Sequence, residues 1–191
     1  MFIGKILGVE EDKYIRIINF SLTERLRARM NLNLMERLQM NLTYKRLEQN
    51  ELSMCADTLI KAFKEEPWNE NWTFEEAYTR LDELMSARVS RGYIVLDSEE
   101  KIVVGMVIGR IMTYMSQKEL WLDEVSIHPV YQRKGIGTRM FEYVKRELQE
   151  EPEEISNIVL TTMRGYPSVA FYEKNGFHIE ECVIFMEGIV K

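Results

Sequence analysis

Leu120 to Met140 reads LWLDEVSIHPVYQRKGIGTRM. Leu120–Ile127 is rich in strand formers and is closed by His128-Pro129, and a helical pattern starts after Gly135. The turn between holds Gln132, Arg133, Lys134, Gly135, Ile136 and Gly137. A strand that passes through a glycine-bearing turn into a helix leaves several backbone N–H groups aimed at one spot, at the positive end of the helix dipole. Such a spot attracts an anion. Gly135 and Gly137 carry no Cβ, so the backbone can approach a phosphate closely, while Arg133 and Lys134 add charge at the rim.

The whole chain has 191 residues, enough for one domain with a sizeable core and a small appendage. Its net charge of −6 argues against nonspecific nucleic-acid binding as its main task. Cys55 and Cys182 stand far apart with no C-x-x-C pattern and only two histidines accompany them, which reads as a reduced, cytoplasmic protein with no metal site. No run of 18 apolar residues occurs, and the N-terminus is a poor signal peptide.

Outward from the central stretch, residues 1–40 read as an N-terminal extension, a strand over Tyr14–Phe20 followed by an amphipathic helix whose Leu22, Leu26, Met30, Leu34 and Leu38 form a stripe. The main domain occupies 41–191. Leu42–Leu47 alternates as a first strand, Leu52–Phe63 is an amphipathic helix, and Thr73 caps a second that runs to Ser90. Tyr93–Asp97 and Val103–Tyr114 form a hairpin across Ser98–Lys101, with Gly105 and Gly109 marking a bulge or a close approach of another segment. A helix ending at Glu151-Pro152 follows the loop, then a strand from Ile158, a short helix over Ser168–Lys174, and two short strands within Phe177–Val190. This order gives an α/β fold with a mixed sheet.

Two motifs carry a resemblance. V-x-I-x-P-x-x-Q-R-K-G-I-G-T resembles the acetyl-CoA pyrophosphate loop of the GNAT superfamily of N-acetyltransferases, whose signature is Q/R-x-x-G-x-G/A. Further on, A-F-Y-E-K-N-G-F within Arg164–Phe177 resembles the second landmark of that family. Together they identify Leu42–Val190 as similar to a GNAT domain, which implies a central sheet of about six to seven strands and acetyl-CoA as co-substrate, with no metal. By the same resemblance Gln132, Arg133, Lys134, Gly135, Ile136, Gly137 and Thr138 hold the pyrophosphate, Val125, Ser126 and Ile127 pair with pantetheine, and Tyr172 protonates the departing thiolate. Gly165 stands where many members carry an Asn, so no side-chain contact is carried over there.

Acyl transfer requires a neutral amine. Deprotonating a lysine-like amine at pH 7 costs roughly 4.6 kcal/mol, so a nearby base helps. Members of the family often place an acid on the strand before the loop. Trp121 occupies the commonest position and cannot serve. Asp123, on the same face, is the first candidate, and Glu124, on the opposite face, is the second unless a bulge exchanges them. A backbone N–H near Val125 is the candidate donor to the carbonyl oxygen.

For the acceptor, the loop between the first two helices sets Trp68 and Trp72 among Glu65, Glu66 and Glu70, with Trp68, Trp72, Glu66 and Glu70 the candidate contacts for a cationic amine. This resembles aminoglycoside 6'-N-acetyltransferases and other small-amine enzymes. The partners expected are therefore a small-molecule amine and a second copy in a homodimer, not nucleic acid or membrane. Two further readings stay open: a protein or peptide N-acetyltransferase, and a non-catalytic acyl-CoA sensor.

Overall fold

In the computed structural model, which describes residues 42–190, the strands keep sequence order across one five-stranded sheet. They are β1 (Leu42–Arg46), β2 (Ser90–Asp97), β3 (Ile102–Tyr114), β4 (Gln117–Ile127) and β5 (Ile155–Leu160). Helices α1 (Leu52–Lys64) and α2 (Phe74–Ser86) separate β1 from β2, α3 (Ile136–Gln149) separates β4 from β5, and α4 (Pro167–Lys174) follows β5. β2, β3 and β4 pair antiparallel, and β5 joins β4 in parallel. The expected strand and helix of residues 1–40 lie outside the described residues.

Strand β3 has helices on both faces, which explains its unbroken apolar run: Val103, Val104, Met106, Val107 and Ile108 are all fully buried. On one face Gly105 lies against Met140 of α3, and Tyr93 of β2 meets Tyr143 of α3 edge to face. On the other, Thr58 of α1 donates to the Val103 carbonyl. Helix α1 buries Leu52, Cys55, Ala56, Leu59 and Ala62, a stripe of helical spacing, and each large apolar member contributes about 1.5–3 kcal/mol. Helix α2 begins as its sequence requires: the Thr73 hydroxyl accepts from the Glu76 N–H, and the Glu76 carboxylate accepts from the Thr73 N–H.

One expectation fails. The two short strands read into Phe177–Val190 do not form, and the sheet has five strands rather than six or seven. Beyond α4 the described chain has no regular element, and Val183, Ile184, Phe185, Met186, Ile189 and Val190 are exposed. Their apolar pattern signals fitness for a pleated surface, but a strand exists only where a neighbour's backbone takes up its hydrogen bonds. The edge of β5 does not take it up here.

Candidate functional site

Strand β4 supplies the site by leaving one of its neighbours. Its pairing with β3 runs the whole way, from Tyr114↔Gln117 to Gly105↔Ile127. Its pairing with β5 stops at Leu122↔Leu160. From Asp123 to Ile127 the backbone edge of β4 that faces β5 is therefore open, and an extended amide-bearing chain could pair there as an added strand. Val125, Ser126 and Ile127 all lie on this open stretch. Ser126 is buried, and its hydroxyl has no hydrogen-bond partner among the described residues.

A bulge sits where the opening starts. Ile108 pairs with Glu124 but the next residue, Gly109, pairs with Leu122, so Asp123 is the extra residue. Gly109 is required there, because a Cβ would fall 2.4 Å from the Trp121 carbonyl oxygen. The bulge gives the two acids different surroundings. Asp123 is clamped by Arg110 through two bonds, Nε to Oδ2 at 2.7 Å and Nη2 to Oδ1 at 2.6 Å. Glu124 is buried, at 6% side-chain exposure, and its Oε2 accepts from Arg80 Nε at 2.9 Å. Burial pushes the Glu124 carboxyl above its usual range, against the bond and charge of Arg80 that pull it down, while the charge of Glu70 adds to the rise.

The loop after β4 is held by side chains at both ends. Tyr131 is buried in a single 3-10 turn, Pro129–Tyr131, and its hydroxyl donates to Asp97 Oδ2 at 2.8 Å, tying the loop to the β2–β3 hairpin. Burial first, and then this bond, push the Tyr131 phenol up to about 12. Gln132 donates from Nε2 to the Ile127 carbonyl at 3.0 Å, so its side chain ties the loop to the end of β4. Lys134 lies over the Tyr131 ring, and Arg139 Nη2 reaches the Lys134 carbonyl at 3.4 Å. Arg133 and Gly135 both adopt left-handed backbone, φ 60° and 75°, the conformation from which anion-binding nests of peptide N–H groups are built. Ile136, Gly137 and Thr138 form the first turn of α3, whose N–H groups have no carbonyl within the helix to bond. Gly137 has a second reason to lack a side chain: a Cβ would meet the Phe171 ring of α4 at 2.8 Å. A nest, a free helix start and an open strand edge in sequence suit a pyrophosphate followed by an amide-bearing arm.

Tyr172 of α4 packs in an aromatic cluster with Phe141, Phe171 and Phe177. Burial, and then the charge of Glu124, push its phenol up to about 12. It stays protonated through the neutral range. A thiol near 8.5 is the stronger acid, so Tyr172 is suited to hydrogen-bond a developing thiolate rather than to surrender its proton outright.

The acceptor candidates separate. Trp72 Nε1 donates to Glu70 Oε2 at 2.5 Å, and Arg80 lies 5.9 Å from the centre of the Trp72 ring. Trp72 and Glu70 thus join Arg80 and Glu124 in one cluster. Trp68 instead packs on Phe63 of α1 and, edge to face, on Tyr166 before α4. Glu66 is exposed on the loop. Trp121 donates to Glu119 Oε2 at 3.0 Å. Sequence reading missed Arg80, Arg110 and Tyr131, which meet their partners over 44, 13 and 34 residues of chain. No local pattern marks such pairs.

A family model described as the acetyltransferase (GNAT) family matches residues 57–177. The chain is similar to "Probable N-acetyltransferase san" of Drosophila melanogaster, 32% identical over 78 residues, or 41% of this chain and 42% of that protein. The match thus spans less than half the length of that relative. Among solved structures it is similar to a possible acetyltransferase from Clostridium difficile 630, with 16% identity, TM-score 0.66, and 78% and 99% of the two chains covered. It is similar also to an aminoglycoside acetyltransferase from an uncultured soil metagenomic sample, in complex with sisomicin, with 18% identity, TM-score 0.65, and 81% and 99% covered. A third is glucosamine-6-phosphate N-acetyltransferase from Arabidopsis thaliana, with 16% identity, TM-score 0.56, and 78% and 99% covered. At these identities the structural likeness is one of fold.

Proposed function

The chain belongs to the GNAT family of acetyltransferases, and from that premise we propose that it transfers an acetyl group from acetyl-CoA to a primary amine by direct attack, with a small cationic molecule as acceptor. The observation that carries the reading is the open edge of β4 running from a buried acid, Glu124, to the anion nest at Arg133–Gly135. Acetyl-CoA supplies the activated acyl group. Residues 132–138 hold its pyrophosphate, and Val125–Ile127 pair with its pantetheine arm. An N–H near Val125 faces the charge that builds on the carbonyl oxygen, and Tyr172 hydrogen-bonds the sulfur as it leaves.

Glu124 is our choice of base over Asp123. A useful base has a pKa near the working pH. Burial raises that of Glu124 toward it, while both oxygens of Asp123 are committed to Arg110. Trp72 and Glu70 stand beside Glu124 through Arg80 and offer an aromatic face and a negative charge to an ammonium group. We assign residues 41–191 to the catalytic domain and 1–40 to an extension, with cytoplasmic location and a homodimer as further parts of the reading. No helix among the described residues is long and apolar enough to cross a membrane.

A second acceptor class, a basic peptide, is favoured by one feature. A shallow open groove along α2 is lined by Trp72, Glu75, Glu76, Thr79, Arg80 and Glu83, three acids against one arginine. The test is release of coenzyme A thiol from acetyl-CoA against polyamines, aminoglycosides, amino acids and basic peptides. Release dependent on one amine class, falling about 10²–10⁴-fold in Glu124→Gln, is the expected result. Full activity of Glu124→Gln refutes the choice of base, and acetyl-CoA binding with no release for any amine refutes the transfer to these acceptors.

A further inference from the structure

Among the described residues, the cation in contact with the buried acid comes from neither the loop nor the strand that carries the family motifs. Arg80 lies on α2, which Ala77 and Leu81 anchor in the core on either side of it. Its Nε donates to Glu124 Oε2 at 2.9 Å, its Nη2 reaches the Asp123 carbonyl at 3.4 Å, and its guanidinium faces the Trp72 ring at 5.9 Å. Trp72 is fixed in turn by Glu70. These three contacts hold a side chain that is still 40% exposed. That is a built position. A planar guanidinium can bond a carboxylate and face an indole together, which a lysine ammonium does less well.

Resting on the reading of Glu124 as base, we propose that Arg80 is a positioning residue that keeps the Glu124 carboxylate ionised and aimed, and so sets the lowest pH at which the enzyme can take a proton from its acceptor. Every group facing Glu124 bears on this. Arg80 from α2 is the favourable charge; Glu70 from the α1–α2 loop opposes ionisation, as does burial; Tyr172 from α4 faces it as a neutral phenol; and Asp123 next along β4 is already neutralised by Arg110. Take Arg80 away and the Val125 N–H alone favours the ionised form, against burial and the charge of Glu70. The carboxyl then holds its proton to higher pH, and a protonated acid cannot act as a base.

The experiment follows the Glu124 carboxyl carbon by NMR in the full chain labelled at glutamate, with Glu124→Gln assigning the signal. It needs no acceptor. Arg80→Met is expected to move the titration midpoint upward by about one to three pH units, the usual influence of one close opposite charge, and Arg80→Lys to restore part of it. With the amine that the thiol-release panel identifies, the rising limb of kcat against pH is expected to move by the same amount, with activity recovered at high pH. A midpoint that stays put in Arg80→Met while Glu124→Gln is inactive overturns this inference and leaves the base in place. Full activity of Glu124→Gln overturns the base, and with it this role. A uniform loss of kcat with an unmoved limb makes Arg80 merely structural.

Discussion

Replacing Gly109 by Ala tests the bulge on which the separation of the two acids depends. The added Cβ would lie 2.4 Å from the Trp121 carbonyl oxygen and 3.1 Å from both Trp121 C and Leu122 Cα. Unbonded atoms of this size sit about 3.5 Å apart, so the strands must separate by about 1 Å. All three obstacles are backbone, and none can turn aside. The cost therefore belongs at the top of the overpacking range, about 3 kcal/mol, or about 6–12 °C in melting temperature for a chain of this length. Gly105→Ala is the control. Its closest obstacle, Ile127 Cδ1 at 2.5 Å, is the end of a flexible side chain, and backbone comes no nearer than 3.4 Å, so about 1 kcal/mol is expected. Urea unfolding of both variants measures the difference. Gly109→Ala within about 0.5 kcal/mol of the unaltered chain, or equal to Gly105→Ala, refutes the close approach. Acetyl transfer per folded molecule is expected to fall as well, with acetyl-CoA affinity kept, since the loop lies beyond the bulge.

Three other outcomes are expected. Gly135→Asp combines a left-handed backbone, φ 75°, with a negative charge in the anion nest, and loses acetyl-CoA binding by calorimetry; unchanged affinity sinks the phosphate assignment. Tyr172→Phe lowers kcat at least tenfold with little change in acetyl-CoA affinity, and an equal loss in both makes the phenol a packing group. Glu151 gives a pH dependence of stability. Its carboxylate accepts two bonds from Arg91, at 2.8 and 2.7 Å, which hold its pKa below the usual range against partial burial. A depressed folded pKa stabilises above the unfolded value, about 4.3, and the gain is lost as pH falls through the folded value. Unfolding of Glu151→Gln is therefore expected to show a deficit at pH 7 that closes below about pH 4, and a deficit constant with pH excludes this cause.

Reading the sequence located what is local. The strand-turn-helix at Leu120–Met140, the Thr73 cap, the hairpin across Ser98–Lys101 and the burial of α1 all follow from periodicity and turn chemistry within a few residues, and β1 to α4 appear in the expected order. Gly109 announced its bulge. What escaped depends on distance. The Arg110 and Arg80 pairings decide between Asp123 and Glu124, and both partners come from other elements. Gly137 reads as a phosphate glycine, but the ring that also demands it belongs to α4. Trp68 and Trp72 look equivalent in sequence, and only packing sends one to Tyr166 and the other to Arg80. The strands expected after Phe177 failed for the same reason, since a strand needs a neighbour that the pattern cannot name.

The single extra residue in β4 also means that the division of labour between Asp123 and Glu124 is written as an offset rather than as an alphabet. Exchanging the pair, Asp for Glu and Glu for Asp, would alter reach by one methylene on each side yet leave a carboxylate against each arginine. Deleting one residue between Leu120 and Asp123 would keep both letters but cancel the bulge, setting Asp123 opposite Gly109 in a regular ladder and losing the offset that now turns it toward Arg110. Natural variation at these two positions should accordingly tolerate a change of acid far better than a change of length.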